Sequence, residues 1–214
     1  MKSNEFITEE IVSEYSEIHD DIRSVLEKKG YKFLGKGADQ AAFLEPGTGQ
    51  VLKIFGTSRQ TGGGGVTRTS DSQKMFEVFE HYCKQHSGNP FLPKFSGFKR
   101  FVFDNHTYYQ IRQEKLSDSD RDFRMDLWTL TSMITTFQGD SADHVIKNFV
   151  NEDPDTCYAI SNRLGAANFK LLVATVLDLY NIGEKNGYRL DLHDENYMMR
   201  GKNPVIVDPW VHSR

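Results

Sequence analysis

DLHDEN, residues 191–196, constrains the fold more than any other stretch of the sequence. It places Asp191 five residues before Asn196, directly after a long segment of helical periodicity. A carboxylate here can orient a hydroxyl group and accept its proton, while the amide oxygen of the Asn holds Mg²⁺. Two other interpretations are a solvated acidic turn and a metal cluster of Asp191, His193 and Asp194, which lacks further ligands at useful spacing.

A second carboxylate follows at the end of an apolar segment. Residues 205–208 read VIVD, which predicts a strand that ends at Asp208. Beside the turn over residues 191–196, Asp208 would be a natural second ligand for Mg²⁺. The alternative is an Asp that simply terminates the strand before Pro209.

The second half of the sequence is mostly helical. Apolar residues at helical spacing predict helices over Ala166–Lys185 and Ser117–Phe137, with a shorter one around Ala142–Val150. Two short strands are predicted at Asn196–Arg200 and Pro204–Val207, on either side of a turn that contains glycine.

The first half is rich in short strands. Residues 31–56 predict three antiparallel strands, and residues 91–116 predict two more. Between them, Ser70-Asp71-Ser72-Gln73 has the form of a capping box, which predicts a helix over residues 71–86. An amphipathic helix is predicted over residues 8–28.

These elements predict an α+β chain in two lobes. The first lobe is a five-stranded antiparallel sheet with one long helix, and the second is shortened and mostly helical. The expected divisions are a helical extension over residues 1–30, the first lobe over 31–113, and the hinge and second lobe over 114–214.

Two features of the first lobe could bind phosphate. Gly35-Lys36-Gly37 lies between two predicted strands, where glycines let backbone N–H groups approach a phosphate, although an ordinary hairpin turn is more common. Lys53 lies within an apolar strand, from which it either projects to solvent or reaches a phosphate.

Together these features resemble the protein-kinase-like superfamily. The glycine turn, strand lysine, helix, hinge, long helix, D-x-x-x-x-N and strand aspartate occur in that family's order. The loop at residues 191–196 is similar to the D-L-H-x-x-N of aminoglycoside phosphotransferases. Residues 30–43, with Val207-Asp208-Pro209 in place of D-F-G, resemble the early serine/threonine protein kinases of lytic podoviruses. The resemblance covers about residues 30–210 and implies a two-lobed kinase-like fold.

The resemblance implies catalytic roles for three residues. Asp191 would be the catalytic base, and Lys53 would bridge the α- and β-phosphates of ATP. A helix glutamate would fix Lys53. On a helical wheel Glu80 flanks the apolar face of the helix over residues 71–86, whereas Glu77 lies nearly opposite, so Glu80 is the predicted partner.

The resemblance also implies a set of residues that bind ATP and Mg²⁺. Gly35, Lys36 and Gly37 would lie over the phosphates. The hinge would meet the adenine through the backbone near Glu114 and Leu116. Asn196 and Asp208 would hold Mg²⁺.

Several positions depart from the family pattern. Gln40 replaces the third glycine, Arg189 stands where kinases have the His of H-R-D, and Trp210 replaces the glycine of D-F-G. The sequence shows no activation loop or helical platform after Trp210. A partner protein is therefore expected as one way to complete the substrate surface.

The favoured function is an ATP- and Mg²⁺-dependent serine/threonine protein kinase of bacteriophage type that phosphorylates host proteins. The segment over residues 57–72 carries many Ser and Thr around a glycine run, so autophosphorylation there is a further expectation. The alternatives are a small-molecule kinase, which the D-L-H-x-x-N form favours, and a nucleotide-binding pseudokinase that inhibits or scaffolds a partner.

The composition argues against some other classes of function. The 214 residues carry 26 basic and 30 acidic side chains, a net charge of −4, which argues against a nucleic-acid partner. Apolar runs are too short to predict a membrane span. The two cysteines form no C-x-x-C pair, so a reducing cytoplasm is expected, that of the host if the protein is phage-encoded.

Overall fold

The chain divides into two compact units. The computed structural model describes residues 18–36, 40–55, 69–103, 106–118, 120–137 and 141–212. Unit 1 comprises the described residues within 1–84 and 94–115, and unit 2 those within 85–93 and 116–214. The described residues form six α-helices and nine strands, which confirms the α+β class.

Unit 1 is built on a five-stranded antiparallel sheet, as predicted. The turn between the second and third strands places Gly47 and Gly49 at positive φ, 76° and 68°, where residues with a Cβ are strained. The strands are β1 (Lys32–Lys36), β2 (Gln40–Leu44), β3 (Val51–Phe55), β4 (Phe95–Phe103) and β5 (His106–Gln113). Their order in the sheet is β1-β2-β3-β5-β4.

Helix α1 (Ile18–Lys28) covers one face of this sheet. Its Ile22 and Leu26 are buried in one hydrophobic cluster with Leu52 and Ile54 of β3. The described part of this helix therefore belongs to the core of unit 1. Residues 8–17 of the predicted helix lie outside the described residues.

Helix α2 (Thr69–Gln85) covers the opposite face. The Phe76 ring centroid lies 4.3 Å from that of Phe55 and 5.3 Å from that of Phe95. Because side chains alternate along a strand, Lys53 projects to the same face as Phe55. Helices on both faces explain why four consecutive residues of β3, Val51–Ile54, are all buried.

Unit 2 contains four helices, which are α3 (Arg121–Thr136), α4 (Ala142–Glu152), α5 (Pro154–Leu164) and α6 (Ala166–Asn186). Helix α3 begins later than predicted because the Asp120 carboxylate caps it, accepting from the Phe123 N–H at 2.8 Å. Helix α5 was not predicted. Asp153 and Pro154, a capping residue and a proline at the first helical position, are the signal that would have found it.

Two short antiparallel ladders complete unit 2. One pairs β6 (Tyr188–Leu190) with β9 (Trp210–His212), and the other pairs β7 (Tyr197–Arg200) with β8 (Asn203–Ile206). The second ladder matches the predicted strands within one residue at each end, whereas the first was not predicted. No helix of the described segments is both long and apolar enough to cross a lipid bilayer.

Candidate active site

The β6–β9 ladder brings Asp191 beside Asp208. Its last pair is Leu190 with Trp210. One residue further, the Asp191 N–H donates to the Pro209 carbonyl at 2.8 Å. Asp191 and Asp208 therefore lie on adjacent chain segments, just beyond the same end of the ladder.

The β7–β8 ladder brings Asn196 to the same place from the other side. Its first pair is Tyr197 with Ile206, and the Val207 N–H donates to the Asn196 carbonyl at 3.0 Å. Asp208 follows Val207 directly. The two ladders thus converge on Asp208, and the predicted trio is gathered at one junction within unit 2.

The side chain of Asn196 is held in a defined orientation. Its Nδ2 donates to the Asp191 carbonyl at 2.6 Å. Because a carbonyl oxygen only accepts, this bond fixes which end of the amide is nitrogen. The Asn196 N–H also donates to the His193 carbonyl at 3.1 Å, which closes the 3-10 turn Asp194–Asn196.

This donor set fits Mg²⁺. Asn196 Oδ1 and the Asp208 carboxylate are hard oxygen ligands, the kind that Mg²⁺ takes in small number beside substrate phosphates. The bond from Nδ2 to the Asp191 carbonyl leaves Oδ1 as the end of the amide that can ligate.

Helix α3 contacts Tyr197, the residue that follows the turn over residues 191–196. Tyr197 is fully buried, and its hydroxyl lies 2.8 Å from Thr131 Oγ1 on α3. Burial raises the pKa of Tyr197, so the phenol stays protonated and available as a donor. Nothing in the sequence pattern marked this contact, because it joins residues that lie far apart in the chain.

In unit 1 the structure places Lys53 and Glu80 on the same side of the sheet. Both are buried, with 9% and 8% of their surface exposed. Glu80 lies one helical turn from Phe76, which contacts β3, and it forms an ion pair with Lys84. Burial, with a smaller contribution from the Glu80 carboxylate, raises the pKa of the Cys83 thiol.

Glu77 points the other way. Its carboxylate is exposed and accepts from Gln73 Nε2 at 2.5 Å. The inward position of Glu80 agrees with the helical-wheel argument, while its pairing with Lys53 stays a prediction.

The glycine segment differs from the predicted turn. Gly35 and Lys36 lie within strand β1, opposite Ala42 and Ala41, after a register shift between Phe33 and Gly35. Among the described residues, no atom beyond the chain neighbours of Gly35 lies within 4 Å of a Cβ built on it, so packing against them does not require glycine there. Gly37 lies outside the described residues, as do residues 57–68 of the segment predicted to be autophosphorylated.

The two predicted hinge residues fall on either side of the unit boundary. In unit 1, Glu114 forms two hydrogen bonds with the backbone of Lys94. Its N–H donates to the Lys94 carbonyl at 3.2 Å, and its Oε1 accepts from the Lys94 N–H at 2.9 Å. Leu116 is buried in unit 2 with Val205 and Val207. The sequence predicted the hinge and the second lobe together over residues 114–214, and the compact units change between residues 115 and 116.

Comparison with known proteins adds little to this geometry. No protein-family model and no curated protein matches the chain. One similar solved structure is the ternary complex of APH(2")-IIa with streptomycin and ATP. It is 12% identical, with a TM-score of 0.29, over 91% of this chain and 72% of that one. A similarity this weak carries no argument, so the site must be judged on its own residues.

Proposed function

We propose that the protein is an ATP- and Mg²⁺-dependent phosphotransferase that phosphorylates serine or threonine hydroxyls of proteins. The observation that carries the proposal is the junction in unit 2. Asp191, Asn196 and Asp208, three residues that the sequence singled out for one reaction, meet there through two independent ladders.

In the proposed reaction the Asp191 carboxylate orients the acceptor hydroxyl and takes its proton. The hydroxyl oxygen forms a bond to the γ-phosphorus of ATP, and the bond from that phosphorus to the β–γ bridging oxygen breaks, releasing ADP. Asn196 Oδ1 and the Asp208 carboxylate would hold Mg²⁺. Mg²⁺, when bound, supplies positive charge that neutralises the developing negative charge on the phosphoryl oxygens.

Unit 1 supplies the phosphate anchor in this proposal. A lysine ammonium that is desolvated in a buried strand interacts with phosphate more strongly than one in water. Lys53 is the buried lysine of β3, on the face covered by α2. Gly35 and Lys36 of β1 and the hinge backbone at Glu114 and Leu116 are proposed to complete the ATP site.

Replacing Glu80 with Gln tests the anchor. Glu80→Gln is expected to weaken Mg·ATP binding about tenfold, the loss typical of one charge-assisted hydrogen bond. The matched control is Glu77→Gln, on the same helix but exposed, which should leave affinity unchanged. Isothermal titration calorimetry measures both. Equal effects of the two substitutions would rule out a specific role for Glu80.

A small-molecule acceptor is the second candidate, because D-L-H-x-x-N is similar to the loop of aminoglycoside phosphotransferases. A pseudokinase that binds ATP without transfer is the third. In the main proposal the protein is a kinase of bacteriophage type, and the acceptor is a protein in the cytoplasm of the host cell. A partner protein is one source of the surface that binds the protein substrate.

Mass spectrometry separates these candidates. The purified protein would be incubated with Mg·ATP in three samples, which contain the protein alone, cell lysate, or a panel of hydroxylated and aminoglycoside compounds. Phosphate on proteins supports the proposal, and mapping it shows whether residues 57–72 of the chain itself are modified. Phosphate only on a small compound favours the second candidate, and ATP binding without any transfer favours the third.

A further inference from the structure

Trp210 lies two residues after Asp208, and unit 2 encloses its indole. Only 3% of Trp210 is exposed, and its Nε1 donates to the Leu179 carbonyl on α6 at 2.9 Å. Its ring centroid lies 5.9 Å from that of Tyr188. Tryptophan is rarely this buried without a partner for its N–H, so the bond to Leu179 matters for its position.

Gly183 makes the room for this ring. A Cβ added at Gly183 would lie 2.9 Å from Trp210 Nε1, closer than real Cβ atoms approach, and 3.2 Å from the Tyr188 carbonyl oxygen, which is tighter than most real Cβ contacts. Glycine is unfavourable inside a helix. Its presence in α6 is explained by the close approach of the indole.

The position of the Trp210 indole also affects the segment that contains Asp208. Val207 is held through its N–H by Asn196, and Pro209 is held through its carbonyl by Asp191. Trp210 adds an anchor to α6, which lies outside both ladders. The backbone is thus held by hydrogen bonds on both sides of Asp208. On the C-terminal side, the Trp210 indole adds a bond to the Leu179 carbonyl and packs against Gly183.

We propose that Trp210 is a positioning residue that fixes the Asp208 carboxylate for binding the metal. This inference rests on the proposed function, because it takes Asp208 as a ligand of Mg²⁺. A glycine at this position would lack the indole, and with it the bond to the Leu179 carbonyl that ties this segment to α6.

The test measures metal binding instead of activity. Mn²⁺ stands in for Mg²⁺ in the presence of ATP, and bound Mn²⁺ is followed by electron paramagnetic resonance. Trp210→Phe, which keeps a ring and loses the N–H, and Gly183→Ala are each expected to weaken Mn²⁺ binding about tenfold. The double variant should lose little more than either single one, because both act on one contact.

The control is Val145→Ala, a fully buried residue of α4. It should lower the melting temperature without changing Mn²⁺ affinity. Trp210→Phe keeps most of the packing, so the test does not depend on whether Gly183→Ala folds. If Trp210→Phe lowers the melting temperature but leaves Mn²⁺ affinity at the wild-type value, the inference is overturned.

A further variant distinguishes this failure from failure of the proposed function. Asp208→Asn should weaken Mn²⁺ binding at least as much as Trp210→Phe. If the wild-type protein binds Mn²⁺ no better than Asp208→Asn does, Asp208 is not a metal ligand, and both the proposed function and the inference fall. If only Trp210→Phe is without effect, the inference alone falls.

Discussion

Replacing Asp191 with Asn is expected to slow phosphoryl transfer by about 10³-fold while nucleotide binding and folding are preserved. The amide has nearly the shape of the carboxylate but cannot accept the proton of the attacking hydroxyl. The bonds that hold Asp191 run through its main-chain N–H and carbonyl, to Pro209 and from Asn196. Both survive the substitution, so the loss should be confined to the chemical step.

Single-turnover transfer from Mg·ATP to the acceptor found by mass spectrometry measures this rate. The matched control is Glu195→Gln, which neutralises an exposed carboxylate in the same turn. It should change the rate less than threefold, since a solvated charge contributes little. An Asp191→Asn protein that keeps more than a tenth of the wild-type rate would remove Asp191 from the role of base.

Replacing Glu45 with Ala is expected to reduce the free energy of unfolding by about 3 kcal/mol. Glu45 is buried at the start of the turn between β2 and β3. Its carboxylate accepts from Arg112 Nε and Nη2 at 3.2 Å, from Thr48 Oγ1 at 2.7 Å and from Tyr31 Oη at 3.1 Å. Removing it takes away the carboxylate that pairs with the largely buried guanidinium of Arg112.

Urea unfolding followed by circular dichroism measures this change. Glu27→Ala is the control, because Glu27 pairs with Arg23 on the surface of the same unit at 2.9 Å. An exposed pair of this kind contributes about 0.5 kcal/mol. Replacing both Glu45 and Arg112 with Met should be less destabilising than Glu45→Ala alone. A loss for Glu45→Ala as small as that for Glu27→Ala would contradict the interpretation.

The pattern of apolar residues was sufficient to predict the elements that are long enough to repeat their period several times. The long helix before residue 191 was predicted within one residue of α6, and all five strands of unit 1 were predicted. The inward position of Glu80 also followed from the 3.6-residue period, because Phe76 lies one turn earlier on the same face. These features depend on residues close together in the chain.

The features that could not be predicted depend on contacts between residues that are distant in the sequence. Strands β6 and β9 have three residues each, too few for a period to be visible, and they exist because they pair with each other across 19 intervening residues. The burial of Lys53 has the same origin. An apolar strand with one lysine predicts a solvent-facing side chain, unless a second helix covers that face, as α2 does.

The path of residues 85–93 limits how this chain can be divided. After α2 the chain leaves unit 1, contributes to unit 2, and returns as β4. There the carbonyls of Pro90 and Leu92 each accept from the Arg200 guanidinium at 2.9 Å, and Asn89 Nδ2 donates to Thr175 Oγ1 at 2.8 Å. A gene cut at residue 115 would therefore yield one polypeptide that carries all of unit 1 together with residues 85–93 of unit 2, and a second polypeptide that lacks residues 85–93. The second polypeptide would therefore need the first in order to complete unit 2.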